Sequence, residues 1–186
     1  MASVAVQPFS GTYRAQPEPS TFAFSVRHSG VFRYRGSLSD VAATLRGDGD
    51  ALVLDGSARV DSISIVEPPA FRAHVLGPEF FDAERHPEIT FRSTAVRLAD
   101  DGRAEVDGEL TIRGVTRPVT ASGHCAPPRR AGFGEAAGLQ LQTSFDRREF
   151  GFEWQAQLPG GGDAVSWDVE VDIDLLLMRE GADAEG

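Results

Sequence analysis

A chain of 186 residues with 41% hydrophobic and 25% charged residues can bury one substantial core beneath the surface of an ordinary globular protein. Its 28 acidic residues against 18 basic ones leave a net charge of −10, which argues against nucleic acid or an anionic membrane as a partner held by bulk charge. No window is apolar for long enough to cross a bilayer as a helix, so stable membrane insertion is not expected. The opening MASVAVQPFSG lacks a basic segment followed by a long apolar run, and the single cysteine, Cys125, can form no intrachain disulfide. A cytoplasmic location is expected, or a periplasmic one if a leader has been removed.

Residues 1–11 carry no strong pattern and are predicted as a loose lead-in anchored by Phe9 and Tyr13. Strict alternation begins at Thr21, with Phe22, Phe24 and Val26 on one face and Ala23, Ser25 and Arg27 on the other. Ser29-Gly30 predicts a turn. A second strand follows over 31–46, bent near Gly36 to Asp40, and Gly47 to Asp50 turns the chain again. Residues 51–65 read as a third strand. Pro68 and Pro69 then precede a stretch, FRAHVLGPEFFDAERHPEITFRS, that fits no strand at its start. Phe80 and Phe81 are adjacent and cannot both face inward from extended chain, but they can share a face of a short helix or turn. A helical plug is therefore predicted around residues 66–84, with Pro87 restarting extended chain.

Residues 89–98 form the fourth strand, closed by Asp100-Asp101-Gly102, and 104–112 the fifth, with Ala104, Val106, Leu110 and Ile112 on its dry face. Gly114 leads into a sixth strand over 115–124, whose Pro118 suggests an edge position or a bulge. A Gly/Pro/Arg loop is predicted for 127–138 and a seventh strand for 139–145. The Gly160-Gly161-Gly162 run reads as a hairpin tip before the last strand, 165–177, where Val165, Trp167, Val169, Val171, Ile173, Leu175 and Leu177 alternate with mostly acidic residues. Tilted by about 40°, that strand would give about 33 Å of barrel height. Residues 179–186 are predicted as a disordered acidic tail.

Eight strands joined mostly by hairpin-length turns, with no helical period between them, predict an all-β, eight-stranded antiparallel up-and-down barrel occupying residues 12–178. A sandwich is the competing architecture. Eight strands enclose a lumen that side chains can just fill or that holds one slender ligand.

Several runs resemble the YceI-like family. They are Ser20 to His28 followed by Gly36; Phe80-Phe81-Asp82 with Pro87 and Phe91-Arg92-Ser93; GELTIRGVTRPVT from Gly108 to Thr120; and Arg148-Glu149-Phe150-Gly151. Together they extend over roughly residues 11–178. The resemblance implies a lipocalin-like barrel that binds a polyisoprenoid, such as a prenyl quinone or polyprenyl phosphate, in an elongated apolar pore. It also suggests a homodimer.

Twelve Phe, two Trp and two Tyr give ample material for an apolar wall. The wall residues expected are Phe22, Phe24, Val26, Phe80, Phe81 and Phe91, together with Leu110, Ile112, Leu141, Phe145 and Trp167. Arg27, His28, Arg72 and His74 are the candidates for a polar head group, because a quinone carbonyl needs a donor and a phosphate needs positive charge. No cofactor beyond the lipid is required. His28, His74, His86 and His124 show no metal-ligand spacing, no serine sits in a nucleophile elbow, and Cys125 reads as structural, so neither a catalytic nor a metal site is expected. A ligand-free interaction module with a filled core is the alternative, and a hydrolase or metal enzyme the weaker third reading.

Overall fold

The computed structural model describes residues 7–181. Its strands are β1 (Gly11–Ala15), β2 (Thr21–His28), β3 (Phe32–Leu38), β4 (Val41–Asp48), β5 (Ala51–Arg59), β6 (Glu88–Leu98), β7 (Arg103–Ile112), β8 (Val115–Ala131), β9 (Gly134–Asp146) and β10 (Asp168–Arg179). One α-helix, α1 (Pro69–Leu76), and two 3-10 turns, Val60–Ser62 and Arg147–Phe150, complete the elements among the described residues.

Strands β1, β4, β5, β6, β7, β8, β9 and β10 hydrogen-bond in that order, and β10 pairs back onto β1, so the sheet closes. β10 offers Leu177 to Arg179 to β1 and Glu170 to Asp174 to β2. β1 and β2 are thus one long strand interrupted at residues 16–20. β3 and β4 are a second, interrupted at Ser39-Asp40. Counted this way the wall is the expected eight-stranded antiparallel up-and-down barrel, with every neighbour in the wall also a neighbour in sequence except the first and last strands, which close it.

Alternation decides which side of the wall each residue faces. On β7, Ala104, Val106, Leu110 and Ile112 are buried, while Glu105 and Glu109 are exposed. On β10, Val171, Leu175 and Leu177 are buried, and Asp168, Glu170 and Asp174 face solvent. Each large apolar side chain so buried contributes about 1.5–3 kcal/mol. One end of the barrel is packed solid by Phe9, Tyr13, Leu45, Leu139 and Leu177, each at most 2% exposed.

The other end is closed differently. β5 stops at Arg59 and leaves the edge of β3 away from β2 without a strand beside it. The chain covers that gap with the Val60–Ser62 turn, an isolated bridge from Leu38 to Ile63, and then α1. Pro69 opens the helix, where a missing N–H costs nothing, and Gly77 ends it. Arg72 ties the helix to the wall by donating to the carbonyls of Asp61 at 2.6 Å, Ile63 at 3.1 Å and Ile65 at 2.8 Å. The adjacent rings of Phe80 and Phe81 do pack on one side, edge to face with centroids 5.3 Å apart.

Several expected boundaries are corrected. Gly11, placed in the lead-in, already opens β1, a strand not expected there, in which Tyr13 turns inward with its hydroxyl donating to Glu135. The third strand ends at Arg59, well short of residue 65. The Gly/Pro/Arg stretch after residue 127 is not a loop: β8 runs to Ala131 and β9 starts at Gly134, with a bulge between Ala126 and Arg129 absorbing the two prolines. Pro118 lies in a stretch of β8 whose register partners are all on β7, since pairing with β9 begins only at Ser122. The last strand begins at Asp168, with Val165 reduced to a single bridge to His28. Of the predicted tail, Arg179 is in β10, and residues 182–186 lie outside the described residues, as do 1–6 of the lead-in.

Candidate ligand-binding bore

The inward faces of the strands do not fill the barrel. Two apolar chambers lie in its axis, one of about 80 Å³ deeper in and one of about 170 Å³ beneath α1. Phe22, Ile89, Phe145 and Val171 line both, so the chambers share a waist. An apolar cavity of about 150 Å³ is enough to stay dry and admit a benzene-sized guest. The larger chamber is of that size, and the smaller one extends it toward the packed end.

Glycines keep the walls thin where rings lie against them. Phe24 stands opposite Gly36 in the β2–β3 register and folds flat over it; a Cβ on Gly36 would sit 2.3 Å from the ring's tip. Phe91 lies over Gly108 in the same way, with the same 2.3 Å approach. Both rings therefore rest against backbone instead of crossing the lumen.

Most of the expected wall residues do face these spaces. Phe22, Phe24, Val26, Phe80, Phe81, Ile112 and Phe145 line the outer chamber, and Phe91, Leu110 and Leu141 line the inner one. Trp167 does not. It precedes the first residue of β10, its Nε1 donates to Asp163 at 2.6 Å, and its ring is covered by the guanidinium groups of Arg147 and Arg148. Among the head-group candidates, His28 and His74 line the outer chamber. Arg27 is exposed on the outer face of β2, opposite in parity to Val26, and Arg72 is committed to its three carbonyls. Neither lines a chamber.

Three of the lining residues that sequence reading missed bear on the chamber's chemistry. Phe152 and Trp154, which follow the Arg147–Phe150 turn, join Phe80 and His74 in an aromatic cluster under α1: His74 meets Trp154 at 4.8 Å and Phe80 meets Phe152 at 5.1 Å. Their alternation across Phe150, Phe152 and Trp154 was the available signal. Arg147 is the third. It lines the outer chamber although it is only 3% exposed. Its Nε donates to Ser166 O at 3.1 Å and its Nη1 to Trp154 O at 2.9 Å, and burial lowers its pKa from the ordinary arginine value.

The remaining chemistry is sparse. The Cys125 thiol is buried in the solid end, where desolvation pushes its pKa up to about 11. Among the described residues no group of three or more His, Cys, Asp or Glu side chains converges as a metal site, and no helix is long and apolar enough to cross a membrane. Around the outer chamber the surface is unusually apolar. Phe71 of α1 lines the chamber while 38% exposed, and Phe32, stacked on His28, is 54% exposed beside Val31 at 83%.

Compared with known proteins, residues 13–177 match the YceI-like domain. The chain belongs to the YceI-like family. A UPF0312 protein of Pseudomonas putida (strain W619) is 32% identical over 108 residues, covering 58% of this chain and 53% of the relative. The match thus spans about half the length of that curated relative. A UPF0312 protein of Vibrio campbellii is 28% identical over 155 residues, covering 81% of this chain and 78% of its own. Among solved structures, BcnA of Burkholderia cenocepacia superposes with a TM-score of 0.69 at 19% identity, over 87% of this chain and 98% of that one. A polyisoprenoid binding domain from Saccharophagus degradans, implicated in plant cell wall breakdown, gives 0.65 at 12% identity, over 90% and 98%. At these identities the two structures establish the YceI-like barrel and no ligand.

Proposed function

We propose that this YceI-like protein binds a long apolar lipid of the polyisoprenoid class, its chain threaded from the outer chamber through the Phe22–Phe145 waist toward the inner one. The observation that carries this is the pair of apolar chambers meeting at a common waist inside a barrel whose far end is sealed. A filled core would leave no such space. Each methylene-sized group moved from water into the bore contributes about 0.8 kcal/mol, so chain length alone supplies affinity. The exposed Phe32, Val31 and Phe71 give an apolar lip over which a chain can enter.

Mass spectrometry of organic extracts from purified protein, with titration of added prenyl quinone into extracted protein, tests the reading. A prenyl lipid in the extract, or saturable one-to-one binding of the added quinone, is the expected result. Blank extracts together with no binding would retire it in favour of a ligand-free interaction module.

A further inference from the structure

Two residues that line the outer chamber each carry a polar atom that no protein group satisfies. Arg147 Nη2 and His74 Nε2 are both buried without a hydrogen-bond partner. Both residues line the chamber, and both touch Trp154: His74 through its ring at 4.8 Å, Arg147 through its bond to the Trp154 carbonyl. A buried donor left unpaired is destabilising, and more so when it carries charge. Arg147 is such a case. Its bonds from Nε and Nη1 go to backbone carbonyls and its face rests on Trp167, 4.3 Å from the ring centroid.

No carboxylate pairs with Arg147 among the described residues. Asp146, adjacent in sequence, is held by Arg148 from both its backbone N–H and its guanidinium. Asp163 accepts from Trp167 and Gln157. A guanidinium remains protonated even when buried, so a charge with no salt-bridge partner stands beside an apolar space, with Asp146 and Asp163 acting on it only from longer range. His74 can donate or accept at Nε2, while its Nδ1 lies 3.6 Å from Glu79.

Resting on the lipid-binding reading above, we propose that Arg147 and His74 form a head-group site for an oxyanion carried on the apolar chain, a phosphate monoester or a carboxylate. The acid end pairs with Arg147 Nη2 and takes a second hydrogen bond from His74 Nε2, and the tail runs inward through the waist. This orientation follows from the barrel itself, because the inner chamber ends against the sealed cluster of Phe9 and Tyr13 and offers no charge of its own. Trp154 touches both residues, accepting from Arg147 through its carbonyl and meeting His74 with its ring. Arg27 and Arg72, the arginines that sequence patterning suggested, have no part in it.

The test compares farnesol, farnesyl phosphate and inorganic phosphate by calorimetry on the extracted wild-type protein, Arg147→Met and His74→Leu. Wild type is expected to bind farnesyl phosphate roughly ten-fold or more tightly than farnesol, as a hydrogen bond to a charged group implies. Arg147→Met should bring the two ligands to the same affinity while farnesol binding persists. His74→Leu leaves every Arg147 bond intact, so it should narrow the ratio without abolishing it, and it serves if Arg147→Met fails to fold. Equal binding of both farnesyl ligands to wild type overturns the head-group site and leaves the bore reading standing. Binding of neither overturns the bore reading itself. Inorganic phosphate binding as tightly as farnesyl phosphate would show an anion site unconnected with the bore, and would also overturn the proposal.

Discussion

Arg72 and Arg147 are chemically the same and do opposite things here. Arg72 spends its guanidinium on three wall carbonyls, so it fastens α1 over the gap left by β5. Arg72→Met should therefore cost about 1–3 kcal/mol in urea denaturation, and it should leave the farnesyl phosphate to farnesol ratio unchanged. Tyr13 illustrates a titratable core contact. Burial, with help from its bond to Glu135, pushes its phenol up from 10.0 to about 12. The unfolded chain then loses a proton that the folded chain keeps. Stability should accordingly fall as pH rises between about 10 and 12, with the contribution intact below that window. Tyr13→Phe should be less stable overall yet flatter across the same window in pH-dependent thermal melts. Cys125, buried and raised to about 11, should not react with Ellman's reagent at pH 8 until urea exposes it.

At the scale of elements, the bore depends on two strands giving up side-chain volume. Gly36 and Gly108 allow Phe24 and Phe91 to lie along the wall. Gly36→Ala should push the Phe24 ring into the outer chamber, weakening prenyl binding and costing roughly 1–3 kcal/mol of stability as overpacking does. A compensating Phe24→Leu in the same chain should recover most of both losses, read by calorimetry and denaturation. These elements also show what the sequence made legible. The period-2 pattern of Phe22-Phe24-Val26 and of Ala104 to Ile112 located inward faces correctly, because burial on one side is what alternation records. It failed at residues 127–138, where prolines and glycines look like a loop but are absorbed by a bulge, and at Trp167, whose apparent parity belongs to a strand that has not yet begun. Arg147 was hidden for another reason. A charged pair after a strand reads as solvated surface, and only the fold reveals that one of the two is covered by Trp167 and the Trp154 segment.

The whole molecule is a closed wall with one sealed end and one end stoppered by a short helix. Its topology was legible because consecutive strands pair with each other, so chain order and wall order coincide. The vacancy inside was not, because the same aromatic composition serves a filled core equally well; the difference lies in ring placement over glycine. A guest that binds only the folded state must stabilise it. At about one hundred times its dissociation constant the gain is about 2.7 kcal/mol, which for a domain of this size is a rise in melting temperature of several degrees. The most direct measurement uses Trp154, which lines the outer chamber, with Trp167→Phe removing the other tryptophan. Titrating a prenyl quinone into that protein should quench Trp154 emission saturably, with one quinone bound per chain. Emission that does not change, or that falls linearly without saturation as free collisions dictate, would contradict an occupied bore.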